Sequence, residues 1–257
     1  MCEPLKIHTL LKKEEIDTVQ MNEEKIAVVF DVLMATSVIA SCFHYDAKQV
    51  IPVLDATEAL QEAKKYPPDE VVLIGEHNGI TIEGFFNPLP SVFKKQVSGK
   101  TVILSTTNGT VAIRNSSNAK KLYVASLLNG EAVSKHIARN IHQETIIVVC
   151  SGSSNTFCLE DFYGAGYFIA QFVKEFGEEK VELTDSSLAA KLFYENRAED
   201  SYEILRQSRV GTNLQNYHYD EDLLFVSQKG VLPLILTLEE KRLISIKKEK
   251  VANKREE

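Results

Sequence analysis

The stretch "KIAVVFDVLMATS", residues 25–37, decides the fold class. Its first half is apolar and rich in β-branched residues, which is typical of a buried strand in a parallel sheet, and a helix-like pattern follows it. Asp31 interrupts this apolar run. Because a buried carboxylate without a partner costs several kcal/mol, we expect Asp31 to lie where the strand opens into a cleft and to meet a cation there.

Similar apolar runs recur through the first 180 residues, with amphipathic segments between them. The runs predict strands over residues 26–33, 49–54, 70–75, 101–106, 121–126 and 145–152. The amphipathic segments predict helices over residues 35–45, 57–65, 109–114, 130–140 and 159–174. At the second helix, Asp55 and Glu58 have the spacing of a capping box. This alternation predicts an α/β protein with a largely parallel sheet that helices cover on both faces.

The pattern changes after residue 180. Residues 185–208 predict two helices and residues 220–227 a third, and two short apolar runs follow at 232–236 and 242–246. No linker rich in Gly, Pro or Ser separates this part from the rest, so we favour one unit over residues 1–257 rather than two independent domains. This unit has a helical C-terminal portion and a charged tail over 245–257.

The composition of the chain excludes several classes of function. The chain has 36 acidic and 29 basic residues, a net charge of −7, which argues against nucleic acid or an anionic membrane as a partner. No apolar run approaches the roughly 18 residues of a membrane span, and the first residues lack a leader pattern. We therefore expect a cytoplasmic protein. The sequence leaves open whether it forms a homo-oligomer.

Polar residues collect directly after the predicted strands, where open α/β sheets bind their ligands. The clearest case is "STTNGT", residues 105–110, which joins a strand to a helix start. Backbone N–H groups and hydroxyls at a helix start favour an anion such as phosphate. The alternative is an ordinary turn at Asn108 and Gly109 with Thr110 as a helix cap. "CSGSSNT", residues 150–156, repeats the pattern after another strand.

Carboxylates follow the same strands and are candidates for binding a hard cation. They are Asp31, Glu76, Glu160, Asp161 and Asp185. Mg²⁺ takes one or two carboxylates together with waters and phosphate oxygens, so acids beside phosphate loops indicate phosphoryl chemistry. The alternative for each acid is a helix cap or a surface charge. An aspartyl nucleophile of the D-x-D type is excluded by Leu33, and no nucleotide-binding P-loop occurs.

Six motifs occur in an order that resembles the 2-phosphosulfolactate phosphatases over residues 25 to about 235. They are "DVLMATS" (31–37), "GE" (75–76) followed by "IEGF" (82–85), "STTNGT" (105–110), "SLLNGEAV" (126–133), "CSGSSNTFCLEDFYGAG" (150–166) and "LTDSSLAA" (183–190). The resemblance implies a three-layer α/β/α fold with a mixed sheet. It also implies a Mg²⁺-dependent phosphatase that converts 2-phospho-3-sulfolactate, a small anionic phosphorylated substrate, to 3-sulfolactate and phosphate.

The resemblance also implies roles for individual residues. Asp31, Glu76 and Asp161 would be catalytic and bind the metal, and Asp185 would be a further metal ligand. The substrate would contact hydroxyl, amide and backbone groups of the loops, with His77 beside them. These substrate-binding residues are Thr36, Ser37, His77, Thr106, Thr107, Asn108, Gly109, Thr110, Ser151 and Gly152.

Three positions depart from the family pattern. Met34 and His77 stand where the family usually has Arg, and Phe86 stands where it has an acid. Arg binds phosphate or sulfonate bidentately and Met cannot, so two anion contacts are missing. Three alternatives therefore stay open: an active phosphatase of this type, a related hydrolase with another substrate, and a non-catalytic protein that binds an anion.

Overall fold

The computed structural model describes residues 3–246. The strands are β1 (Leu5–Leu10), β2 (Lys25–Phe30), β3 (Gln49–Val53), β4 (Val71–His77), β5 (Ile80–Thr81), β6 (Thr101–Ser105), β7 (Lys121–Ala125), β8 (Thr145–Cys150), β9 (Val181–Leu183), β10 (Ile235–Glu239) and β11 (Arg242–Ile246). The helices are α1 (Ala35–His44), α2 (Ala56–Ala63), α3 (Pro90–Phe93), α4 (Gly109–Asn115), α5 (Gly130–Asn140), α6 (Leu159–Phe176), α7 (Asp185–Asn196), α8 (Ser201–Gln207), α9 (Arg209–Asn216) and α10 (Asp220–Val226).

These strands form one mixed, largely parallel sheet with helices on both sides, as the sequence predicts. Its order is β5-β4-β6-β3-β11-β10-β7-β2-β8-β1-β9. The strand that contains "KIAVVF" lies between two parallel neighbours, β7 and β8. Its residues from Ile26 to Phe30 are all buried, which explains the unbroken apolar run.

The sheet contains two parallel sets, β9-β1-β8-β2-β7 and β3-β6-β4, joined by the hairpin of β10 and β11. Strand β10 is antiparallel to β7, β11 is antiparallel to β10, and β3 is antiparallel to β11. The two sets therefore run in opposite senses. Strands β2 and β6 are five steps apart in the sheet order, and at 20–25° per step the sheet turns by about 100° or more between them.

Helices α1 and α4 connect the two parallel sets. Helix α1 contacts β7 and β3, and α4 contacts β2 and β3. On the first set, α6 packs against β2 and β8 and lies beside α5 and α7. Because α1 begins just after β2 and α4 begins just after β6, their first turns hold the carboxyl ends of the two sets close together.

The structure confirms the six predicted strands and five predicted helices of the first 180 residues. The helix cap at Asp55 is confirmed as well, since its side chain accepts a hydrogen bond from the Glu58 N–H at 2.8 Å. Glu58 returns a bond to the N–H of Leu54, one residue before the position that a capping box uses. The prediction is incomplete at both ends of the chain, where β1 and the hairpin of β10 and β11 enter the sheet.

Other predictions have mixed outcomes. No helix within residues 3–246 is long and apolar enough to cross a bilayer. The predicted charged tail lies outside the described residues from position 247 onward. The organisation as a single unit stays a prediction.

Candidate active site

A cavity of about 460 Å³ opens where the carboxyl ends of the two parallel sets meet. Four carboxylates line it: Asp31, Glu76, Glu160 and Asp161. All four side chains are buried. The acids that the sequence places after separate strands are therefore neighbours in space, except for Asp185.

Asp31 lies between the first turns of α1 and α4. Its carboxylate lies beside the backbone N–H groups of Ala35 and Gly109, the first residues of these two helices, and both groups favour its charged form. Burial, with the neighbouring charges of Glu76 and Glu160, nevertheless raises the pKa of Asp31 to about 7. None of the ion pairs formed within residues 3–246 includes Asp31. The expected cation is therefore not supplied by the described part of the chain.

Glu160 and Asp161 lie in the first turn of helix α6 and line the same cavity. Asp161 accepts hydrogen bonds from the backbone N–H groups of Val32 at 2.8 Å and Gly152 at 3.0 Å, so it ties the end of β2 to the loop after β8. Burial, and then the charges of Asp31 and Glu160, raises the pKa of Asp161 well above its ordinary value. Burial also raises the pKa of Glu160, against the opposing effects of Ser208 and Arg209.

Glu76, at the end of β4, holds the loop after β6. Its carboxylate accepts hydrogen bonds from the Thr107 N–H at 2.7 Å, the Thr107 hydroxyl at 3.1 Å and the Gly79 N–H at 2.6 Å. The Thr107 hydroxyl in turn accepts from the Asn78 N–H at 2.7 Å. Both oxygens of Glu76 are therefore already engaged in positioning loops.

Two N–H groups of the predicted phosphate loops bind the protein's own carboxylates. Thr107 donates to Glu76 and Gly152 donates to Asp161, and the Gly109 N–H lies beside the Asp31 carboxylate. Other N–H groups of these loops donate to hydroxyls or carbonyls, as Thr106 and Thr110 do. This arrangement keeps several like charges close together at one side of the cavity.

Several predicted substrate-binding hydroxyls have internal partners. Thr106 and Thr110 bond each other reciprocally at the start of α4, each backbone N–H donating to the other hydroxyl at 3.1 Å. The Thr36 hydroxyl donates to the Asp31 carbonyl at 2.9 Å, and the Ser37 hydroxyl donates to the Val32 carbonyl at 2.7 Å. These four side chains are buried, and their position indicates a structural role.

The remaining predicted residues divide into two groups. Thr107, Asn108 and Gly152 line the cavity. Asp185, His77, Gly109 and Ser151 do not line it. Asp185 is exposed at the first position of α7, and His77 is exposed beside a separate depression. The Ser151 hydroxyl is buried and has no hydrogen-bond partner within the described chain.

The donor set fits a hard divalent cation. Within residues 3–246, no three Asp, Glu, His or Cys side chains are arranged to hold one metal ion. Mg²⁺ needs only one or two protein carboxylates, since waters and substrate oxygens complete its shell. Asp31 and Glu160 are the two candidates, because both line the cavity and Glu160 is near enough for its charge to disfavour ionisation of Asp31. A divalent cation would relieve this repulsion.

The three departures from the family pattern lie in different places. Met34 lines the cavity. His77 and Phe86 do not; Phe86 is 38% exposed and its backbone pairs with β4, donating to the Leu73 carbonyl at 2.8 Å. Only the change at Met34 therefore alters the wall of this cavity.

The wall formed by α9 and the turn that follows it is not predicted by the sequence. Arg209, Asn213, Tyr217 and Tyr219 line the cavity there. The one local signal was Ser208, a residue type that often starts helices, which accepts a hydrogen bond from the Gly211 N–H at 3.0 Å.

Comparison with known proteins identifies the family of this chain. Residues 10–241 match a family model described as 2-phosphosulpholactate phosphatase. The chain is 39% identical over 235 residues to a "Probable 2-phosphosulfolactate phosphatase" of Clostridium perfringens strain SM101, which covers 90% of this chain and 92% of the relative. A protein of the same name from Caldicellulosiruptor saccharolyticus is 36% identical, with 90% and 96% covered. The chain therefore belongs to the 2-phosphosulpholactate phosphatase family, a family of phosphoric monoester hydrolases.

Proposed function

We propose that this protein is a Mg²⁺-dependent phosphatase that hydrolyses 2-phospho-3-sulfolactate to 3-sulfolactate and phosphate in the cytoplasm. The observation that carries the proposal is the cluster of buried carboxylates at the wall of one cavity. A cluster of acids alone would repel a phosphate ester. The donor chemistry and the family membership together support a divalent cation as the group that makes this cavity attractive to the substrate.

In this proposal, Asp31 and Glu160 would hold the Mg²⁺ ion. When bound, the ion neutralises charge on the phosphate oxygens and lowers the barrier to attack by water. Asp161 and Glu76 would not be metal ligands; they fix the loops at Gly152 and Thr107 through backbone hydrogen bonds. This assignment differs from the sequence-based one, in which Asp31, Glu76, Asp161 and Asp185 are the metal ligands and Glu160 is not.

Asn108 is the best placed residue of its loop to contact the phosphate. Its side chain lines the cavity, and its Oδ1 atom accepts a hydrogen bond from Lys13 Nζ at 2.9 Å. This bond orients the amide group, so its Nδ2 donors remain for a substrate oxygen. Thr106 and Thr110 support this loop from below through their mutual hydrogen bonds.

A second candidate function rests on Met34. Because this apolar side chain lines the cavity where relatives of this type usually carry Arg, the chain could act on another small acidic phosphate ester or bind an anion without hydrolysing it. The three cases differ in turnover and in substrate preference.

An assay of phosphate release distinguishes these three functions. The purified protein is incubated with 2-phospho-3-sulfolactate, phosphoglycolate and phospholactate, each with Mg²⁺ and with EDTA. We expect turnover of 2-phospho-3-sulfolactate in Mg²⁺ and none in EDTA. Preferred turnover of another ester would favour the second hydrolase, and binding without phosphate release from any ester would contradict a phosphatase.

A further inference from the structure

One cationic side chain lines the carboxylate-rich cavity. Arg209 is the only Lys, Arg or His among the residues of the described chain that line it. Four acidic side chains line the same cavity: Asp31, Glu76, Glu160 and Asp161. Acidic side chains therefore outnumber basic ones in the described wall of this cavity, and Arg209 is the side chain there whose positive charge attracts an anion.

Arg209 has no partner of its own within residues 3–246. The described arginines that form ion pairs are Arg114, Arg139, Arg197 and Arg206. Arg209 is exposed to solvent in the cavity, and its charge acts on Glu160 without an ion pair between them. Its guanidinium donors are therefore available for a ligand.

The backbone at Arg209 is fixed in place. Ser208 caps α9 and donates to the Leu205 carbonyl at 2.8 Å, which closes the turn between α8 and α9. Gly211 lies so close to α8 that a Cβ atom there would be 1.8 Å from the Leu205 carbonyl oxygen. Arg209 thus projects from a rigid turn, which lowers the entropic cost of holding a ligand.

The proposed substrate carries a carboxylate and a sulfonate besides its phosphate. A metal ion between Asp31 and Glu160 would neutralise the phosphate, but the other acidic groups would still face the carboxylates. The residues that replace the usual arginines do not help, because Met34 is apolar and His77 lies outside the cavity.

We propose that Arg209 binds an acidic group of the substrate other than the phosphate, its carboxylate or its sulfonate, and so restricts the enzyme to small phosphate esters that carry at least one further acid. This inference rests on the proposed function for the identity of the substrate. The guanidinium fork suits a carboxylate or a sulfonate, since either can accept two parallel hydrogen bonds. The opposing interpretation is that Arg209 only balances the charge of Glu160.

The two interpretations differ in a binding experiment that needs no turnover. Isothermal titration calorimetry measures the binding of two ligands. One is 3-sulfolactate, which keeps the carboxylate and the sulfonate and lacks the phosphate. The other is inorganic phosphate with Mg²⁺, which probes the other half of the site. The variants are Arg209→Met, Arg209→Lys and the control Arg206→Met. Arg206 lies on α8 outside the cavity and pairs with Glu203.

We expect Arg209→Met to weaken 3-sulfolactate binding about 10- to 100-fold, the range of a charged hydrogen-bonded contact. Arg209→Lys should recover part of this loss, and inorganic phosphate binding should stay within about threefold of wild type in both Arg209 variants. Arg206→Met should match wild type with both ligands.

Three results would overturn the inference: no measurable 3-sulfolactate binding by wild type, unchanged binding in Arg209→Met, or an equal loss for phosphate and 3-sulfolactate. Failure of the proposed function looks different. In that case wild type releases no phosphate from 2-phospho-3-sulfolactate, whatever the titrations show for Arg209.

Discussion

Replacing Asp31 with Asn should stabilise the metal-free protein while it removes the activity. The carboxylate has a pKa of about 7 in the folded chain, against 3.8 for the free side chain, because it is buried and near Glu76 and Glu160. At 1.36 kcal/mol per pKa unit, keeping Asp31 ionised at pH 8 costs up to about 4 kcal/mol of folding free energy. Asn carries no charge and avoids that cost.

The substitution also has a cost of its own. The Asn amide oxygen replaces a carboxylate whose charge the N–H groups of Ala35 and Gly109 favour at two helix starts, a loss of about 1 kcal/mol. The net expectation is a gain of about 1–3 kcal/mol in the free energy of unfolding at pH 8. Because the folded pKa is raised, the penalty on wild type is absent below about pH 4, grows as the pH rises toward 7 and is constant above it.

Urea unfolding in EDTA at pH 4, 6 and 8 measures this gain, and phosphate release with Mg²⁺ measures the activity. Asp185→Asn is the matched control, since Asp185 is an exposed acid at a helix start outside the cavity. It should leave both properties nearly unchanged. A less stable Asp31→Asn protein at pH 8, or one with near wild-type activity, would refute the reasoning and make Asp31 a helix cap only.

Three further predictions follow from the same contacts. Half-saturation of phosphate release should need about tenfold more Mg²⁺ at pH 6 than at pH 8, since only about a tenth of Asp31 is ionised at pH 6; a pH-independent requirement would contradict this. Gly109→Ala should lower stability to urea by about 1–3 kcal/mol, because its Cβ would lie 2.4 Å from Ala35 Cβ. Glu144→Gln should lower the free energy of unfolding by about 1 kcal/mol at pH 7, because the Lys120 hydrogen bond lowers the pKa of Glu144 to about 2. The difference from wild type should vanish as the pH falls toward 2, and an equal loss at both pH values would count against this prediction.

The local part of the fold was predictable because strong apolar runs and helix caps act over a few residues. The strand after Lys25 and the cap at Asp55 are examples, and both are confirmed. Strand β1 was missed because "LKIHTL" mixes polar and apolar residues, as expected of a strand with a partly exposed face. Its place beside β8 comes from pairing with residues about 140 positions away.

The hairpin of β10 and β11 shows the same limit. Its two apolar runs were visible in the sequence, but their insertion between β7 and β3 depends on long-range pairing. That insertion reverses the sense of the second parallel set. The meeting of the two sets of carboxyl ends, and with it the cavity, could not be deduced from the order of the strands alone.

The sequence predicted the types of residue that form the candidate site, but not which of their atoms face the cavity. The sequence indicated acids and small polar residues after the strands, and Asp31, Glu76 and Asp161 do meet. Which of their oxygens stay open to the cavity depends on hydrogen bonds such as that from Thr107 to Glu76. Arg209 was missed because its part in the site comes from tertiary packing of a short helix.

The most direct test of the central claim is the position of a bound divalent ion. In crystals soaked with Mn²⁺ as a substitute for Mg²⁺, we expect an anomalous difference peak within about 2.5 Å of a carboxylate oxygen of Asp31, with Glu160 as a neighbour. A fully occupied Mn²⁺ site elsewhere in the molecule, with no peak at Asp31, would contradict the account.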